Sequence, residues 1–169
     1  MKKIITTAAV LAVAGAANAD FSGYYAPAGW TEVTPYDSAI IWNAPGGVTV
    51  QGVDSGTWYG SFTTLTIVAP ANGLFQFDWY YYTTDSPGYD EGGYIINNTY
   101  YYLDGYGGGS GTVSVNVNAG DTIGWYVNDY DGCCGAGFLE VTNFTGPIPA
   151  PGALALIGLA GLTARRRRR

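Results

Sequence analysis

Histidine is absent from this 169-residue chain, and the seven basic residues stand only at its ends: Lys2, Lys3 and then Arg165, Arg166, Arg167, Arg168 and Arg169. Between them lie thirteen carboxylates, from Asp20 to Glu140, and no side-chain cation. Each absence closes off some chemistry. Without His there is no Ser-His-Asp triad. Without an internal Lys there is neither a Schiff base nor a phosphate-cradling P-loop. Without cations nothing grips a phosphate backbone, so nucleic acid is excluded as a partner. No ion pair between side chains can form within 20–146. Every carboxylate there must be solvated, hydrogen-bonded or bound to a metal ion. A carboxylate pair could run glycoside hydrolysis, but among thirteen acids some pair arises by chance. The chain therefore reads as non-catalytic.

Cysteine is scarce too. Cys133 and Cys134 are adjacent and are the only two. In an oxidising compartment they could close on each other and stiffen a loop, although one peptide brings Cα atoms closer than a disulfide usually has them. Inter-chain bridging and two free thiols are the alternatives. Two cysteines without His make a poor zinc site.

The N-terminus has an order of its own. Lys2 and Lys3 precede an apolar, Ala-rich run over 4–16. Ala17-Asn18-Ala19 then fits the small-x-small rule, so cleavage is expected before Asp20. Residues 1–19 read as a signal peptide and the protein as exported by the secretion machinery.

What the middle has in plenty is Gly, Tyr, Thr, Val, Ser and Asn, with 47% hydrophobic residues, enough for a core. Residues 21–38 read as a loop with one short strand. Strands are then expected over 39–43, 48–53, 58–68, 74–83, 93–103, 112–118, 122–128 and 138–144, with turn residues between them. In 74–83 Phe75, Phe77, Trp79 and Tyr81 share one face and Gln76, Asp78, Tyr80 and Tyr82 the other. Ile123, Trp125 and Val127 point inward in the same way. About eight short strands predict an all-β fold over 20–146, a β-sandwich of jelly-roll or immunoglobulin-like kind, with a closed barrel as the alternative.

Two acidic loops are candidate Ca²⁺ sites: Asp85, Asp90 and Glu91 in one, Asp129 and Asp131 in the other. Hard oxygen ligands suit that ion, although neither loop matches an EF-hand. An up-and-down reading of the strands puts the two loops at opposite ends. The plainer reading is Asp serving as a turn residue. Tyr80, Tyr82 and Tyr126 are expected on an outward face, with Tyr100 and Tyr102 near, where flat rings could stack on sugars.

The C-terminus runs in three zones. Pro147-Ile148-Pro149-Ala150-Pro151 is followed by an apolar run from Gly152, expected as a helix over 152–164, and then by the tip Arg165–Arg169. The uncharged stretch 148–164 sits at the low end of the roughly 17–25 residues that span a bilayer. The arginines would stay on the cytoplasmic side of the inner membrane. This tail, 147–169, resembles the PEP-CTERM sorting family, whose members end in a Pro-x-Pro signature, an apolar segment and an arginine-rich tip. Here Pro149-Ala150-Pro151 stands where the family has Pro-Glu-Pro. The resemblance implies recognition by an exosortase-like enzyme, removal of the tail, and delivery to the cell surface or an extracellular polysaccharide matrix. The stretches 77–90 and 118–121 also resemble domains carried by such tails. The chain thus reads first as an exported, non-catalytic surface or matrix protein. The alternative is a carbohydrate-binding module, Ca²⁺-dependent or not, acting on extracellular polysaccharide.

Overall fold

The computed structural model describes residues 20–149. The expected signal-peptide helix over 1–19, the helix over 152–164, the Ala150-Pro151-Gly152 part of the sorting motif and the arginine tip lie outside the described residues. Among the described residues no helix is long and apolar enough to cross a membrane.

The chain forms ten strands: β1 (Thr31–Val33), β2 (Ala39–Asn43), β3 (Gly47–Gln51), β4 (Ser61–Val68), β5 (Gly73–Thr83), β6 (Asp90–Ile96), β7 (Thr99–Asp104), β8 (Gly109–Val117), β9 (Thr122–Asp129) and β10 (Gly137–Thr145). They make two antiparallel five-stranded sheets, ordered β1-β4-β9-β6-β7 and β2-β3-β10-β5-β8. From β3 onward, β3-β10-β5-β8 against β4-β9-β6-β7 is the order of a jelly roll, two Greek keys wrapped together. The first strands, β1 and β2, extend one edge of each sheet.

Period two sets what is buried. Phe75, Phe77 and Tyr81 of β5 face Leu65, Ile67, Ile123, Trp125 and Val127 of the other sheet, all within one hydrophobic cluster. Trp125 is its centre. Its ring lies 5.1 Å from Trp30, 5.4 Å from each of Phe75, Phe77 and Phe144, and 5.9 Å from Phe21. The segment before β1, expected as a loop, is a core element: two 3₁₀ turns, Gly23–Tyr25 and Pro27–Gly29, let Phe21, Tyr25 and Trp30 plug one end of the sandwich. Aromatic plugs bury large area with few rotamers to fix. Tyr25 donates its hydroxyl to the Pro147 carbonyl at 2.7 Å. The entry and exit of the domain therefore meet at that end.

One expectation fails with consequences for the site. Residues 93–103 are not one strand but a hairpin, turned by Asn97 and Asn98 between Ile96 and Thr99. Both asparagines have positive φ, 51° and 64°. That is the two-residue turn whose twist matches paired strands, and Asn tolerates it better than most residues. The extra reversal changes the parity of every later loop. Loops 52–60, 84–89, 105–108 and 130–136 all gather at the end opposite the Tyr25 plug.

Backbone approach is closest where β9 meets β4. A Cβ at Gly124 would overlap the Leu65 carbonyl, so Gly124→Ala must push the two central strands of that sheet apart. It should lower stability by about 2 kcal/mol or more. Replacing Asn97 and Asn98 together by Ala should cost about 2 kcal/mol, from two left-handed residues. Thermal melts of the purified protein check both, and unchanged melting temperatures would overturn this reading of the packing.

Candidate functional site

The gathered loops and the strand ends beneath them carry two hollows and a cluster of aromatic rings. On the outer face of the β4-β9-β6-β7 sheet, three rings touch. Phe62 of β4 lies 5.2 Å from Tyr100 of β7 and 5.9 Å from Tyr126 of β9, and the two tyrosines are 5.0 Å apart, edge to face. Tyr126 is laid flat into the space above Gly93, where any Cβ would strike its ring. It is only 1% exposed, whereas Phe62 and Tyr100 keep 41% and 49% of their surface in solvent. Tyr126 is thus the floor and the other two are exposed rings above it.

Beside this trio are two hollows that share Glu91 and Tyr130. One, of about 450 Å³, is lined by Gly88, Glu91, Tyr102, Gly105, Tyr106 and Tyr130 along with Asp90. The other, of about 410 Å³, is lined by Gly60, Ser61, Phe62, Glu91, Asn128 and Tyr130 along with Asp129. Glu91 is the polar centre. The Tyr126 hydroxyl donates to its Oε1 at 3.5 Å. Burial and then the Glu91 charge hold the Tyr126 phenol above its ordinary range, while at Tyr130 the Glu91 carboxylate itself is the first cause of a rise. The arrangement offers exposed aromatic faces flanking a carboxylate and an amide. It can hold a ligand with apolar faces and hydroxyl edges.

The tyrosines expected together are split. Tyr80 and Tyr82 do point outward, but from β5, in the other sheet, where Tyr82 stacks on Phe138 at 4.8 Å. Tyr126 belongs to β9. β5 and β9 belong to different sheets, so a shared outward phase did not mean a shared surface. Phe62, Tyr106 and Tyr130 were missed. Phe62 was legible as the aromatic on the odd-out phase of an alternating strand; Tyr106 and Tyr130 are loop residues with no period to flag them.

The acidic loops are also rearranged. Asp90 and Asp129 are register partners on neighbouring antiparallel strands. Both face inward and each is 1% exposed. The expectation that the two loops sit at opposite ends is overturned by the Asn97-Asn98 reversal. Asp85 and Asp131 lie close enough to act on the same pair electrostatically. Glu91, by strand alternation, points to the outer hollows and away from them. Cys133 and Cys134 are bonded to each other and roof this end. Their loop is pinned by the Gly135 N–H to Asp54 Oδ1 at 3.1 Å and the Ala136 N–H to Thr84 Oγ1 at 2.9 Å.

Burial pushes the Asp90 carboxyl up to about 7; the Thr83 hydroxyl bond opposes this and the charges of Asp129, Asp85 and Asp131 add to it. Burial likewise raises Asp129, against the pull of the Gly132 and Asp131 N–H groups. The folded domain therefore keeps a proton that the unfolded chain has lost. Its stability, in chelator, should fall as pH climbs from about 4 to about 7, by an amount on the order of a few kcal/mol. Asp78 and Asp121 are shifted the other way, by bonds from Thr112 and Asn97 respectively, and act below that window. Melting temperature against pH with EDTA present tests this. Asp90→Asn should flatten the slope, and a wild-type curve that rises across the window would contradict it.

No family model matches the chain, and no curated protein matches it. Among solved structures it is similar to a family 35 carbohydrate binding module from Clostridium thermocellum, at 14% identity and TM-score 0.37 over 66% of this chain and 96% of that one. It is similar to the family 35 module of Cellvibrio japonicus Abf62, at 13% identity and TM-score 0.38 over 72% and 96%. The CBM36-1 domain of a multidomain xylanase from the hindgut metagenome of Trinervitermes trinervoides matches at 18% identity and TM-score 0.37, over 69% and 92%. At these identities and TM-scores the likeness assigns neither a site nor a ligand.

Proposed function

We propose that the β-sandwich is a non-catalytic carbohydrate-binding module acting on extracellular polysaccharide, exported by residues 1–19 and sorted to the cell surface or matrix by the PEP-CTERM-like tail 147–169. The observation that carries the binding reading is the outer face around Glu91 and Tyr130. Both hollows are within the usual range of small-molecule sites, about 300–1,000 Å³. Sugar rings present flat C–H faces and a rim of hydroxyls. Phe62, Tyr100, Tyr102, Tyr106 and Tyr130 offer ring faces to the first, and Glu91 with Asn128 offers hydrogen-bond partners to the second.

Charge narrows the ligand. The segment 20–149 has thirteen carboxylates and no side-chain cation, and one of those carboxylates stands between the two hollows. A polyuronate or a sulfated glycan would meet like charge without a compensating Arg or Lys. The ligand is a neutral polysaccharide, such as a xylan, glucan or mannan.

Retention of the purified protein on immobilised glycans tests the reading. Neutral polymers should retain it and polyuronates should not. Phe62→Ala, Tyr100→Ala and Tyr130→Ala should each weaken retention about tenfold, or about 1.4 kcal/mol. Tyr80→Ala and Tyr82→Ala, on the opposite sheet, should leave it unchanged. A protein that no glycan retains would be a displayed structural protein instead. For the tail, mass spectrometry of the surface protein should find a C-terminus without Arg165–Arg169; an intact arginine block would overturn tail removal and leave a membrane-anchored form.

A further inference from the structure

Asp90 and Asp129 pose a problem the rest of the domain does not solve. Their carboxylates are buried side by side, and no Lys, Arg or His exists between Lys3 and Arg165 to offset them. Surface carboxylates here are satisfied by neutral donors. Asp78 takes the Thr112 hydroxyl and the Asn143 amide; Asp121 takes the Asn97 amide and the Asn118 N–H. The buried pair is only half satisfied. Asp90 Oδ2 accepts from Thr83 at 2.6 Å, and Asp129 Oδ1 accepts the N–H groups of Asp131 and Gly132 at 2.9 and 2.5 Å. Asp90 Oδ1 and Asp129 Oδ2 are buried with no donor in reach.

Neutral oxygens in the same condition surround them. Ser61 is the register partner of Asp129 on β4, as Asp90 is on β6. The three form one inward row across adjacent strands, with side chains about 5 Å apart. The Ser61 hydroxyl is buried and unpartnered. So is the Tyr81 hydroxyl, whose ring is 0% exposed and whose oxygen, like Asp90 Cβ, lies within about 3 Å of where a Gly137 Cβ would sit. Asp85 Oδ2, from the loop 84–89, is the fifth of these buried oxygens without a partner. A buried polar atom without a partner is costly, and a buried unpaired charge more so. Thr63 Oγ1 and Trp125 Nε1 of the core are also without partners, but the five oxygens named here belong to this end of the sandwich, and three of them are on carboxylates. That is the ligand chemistry of a hard divalent cation, which takes roughly six to eight oxygens.

We propose that Asp90 and Asp129 anchor a Ca²⁺ ion at the mouth of the sandwich, with the Ser61 hydroxyl and water completing its oxygen shell and the Cys133–Cys134 loop closing over it. Among the described residues no three Asp, Glu, His or Cys side chains converge on one point, so the site is built on two charged ligands and finished with neutral ones. Asp85, Glu91 and Asp131, expected among the ligands, are not needed. Glu91 serves the outer hollows, and Asp131 Oδ1 accepts the Cys133 N–H at 3.2 Å. The ion would lock the ends of β4, β6 and β9 together beneath the loops 84–89 and 130–136. Its role is to set the shape of the outer hollows without touching a ligand held there.

Two measurements on the purified protein test the site, with Ca²⁺ and Tb³⁺ as the probes. Ca²⁺ at about a hundred times its Kd should raise the melting temperature by about 5 °C or more, reversibly by EDTA. Tb³⁺ should give luminescence sensitised by the neighbouring aromatic rings, competed away by Ca²⁺. Both effects should vanish in Asp90→Asn/Asp129→Asn. That variant keeps shape and removes repulsion, so in EDTA it should melt no lower than the wild type, and misfolding is visible there separately. No calcium shift and no sensitised Tb³⁺ would overturn the proposal and leave the pair sharing a proton. An effect that survives in the double variant would place the ion elsewhere and equally overturn it. Glycan retention is scored separately on the Phe62 and Tyr100 variants, so loss of the metal site and loss of sugar binding remain distinguishable.

Discussion

The pairing of β9 between β4 and β6 is the constraint on which the rest depends. Its register decides three things at once. Inward, Trp125 comes to the centre of the aromatic core. Outward, Tyr126 comes to lie over Gly93 and forms the floor under Phe62 and Tyr100. At its end, Asp129 comes opposite both Ser61 and Asp90. A slip of one residue would exchange the two faces, sending Trp125 to solvent and Tyr126 into the core. The close contact of Gly124 with the Leu65 carbonyl admits no side chain at that point, and so the register and the spacing are held together.

Charge segregation explains the style of polar bonding. A domain with carboxylates and no cations cannot tie its loops with ion pairs. It uses Asp as an acceptor for Asn, Thr and backbone donors instead. The Asp129 carboxylate gathers the turn that leads to Cys133, and Asp54 holds the following turn through Gly135. These bonds tie the 52–60 and 130–136 loops together, and backbone bonds from Gly88 to Gly105 and from Tyr130 to Tyr89 bring in 84–89 and 105–108. The mutual repulsion of so many carboxylates keeps the surface soluble while it disfavours anionic partners.

Much of this was legible from residue order. Alternation along β5 placed Phe75, Phe77, Trp79 and Tyr81 on one face and Tyr80 with Tyr82 on the other, as the structure has them. The same held for Ile123, Trp125 and Val127. What failed was topology. Tyr80 and Tyr126 share an outward phase, yet which sheet a strand joins depends on long-range pairing that no local pattern encodes. The loop arrangement failed for a smaller reason: Asn97-Asn98, between an Ile pair and a Thr-Tyr run, was not seen as a turn because neither residue is glycine. One missed reversal moved Asp90 and Asp129 from neighbours to opposite ends. Gly and Pro around Phe21, Tyr25 and Trp30 mimic a loop, although three large aromatics in ten residues are a plug in waiting.

The hydrogen bond from Tyr25 to the Pro147 carbonyl has a mechanical meaning. It gathers the two ends of the domain at one end, and the cleft-bearing loops stand at the other. β10 runs the whole distance between them, from Gly137 beneath the loops to Thr145 beside the plug, and it is flanked on both edges, by β3 and β5. A pull applied between the loops and Ile148 would pass lengthwise through this central strand. Its ladders are then loaded in shear, many bonds at once, and not peeled open one by one. A strand held on both sides in this way yields last along its own length.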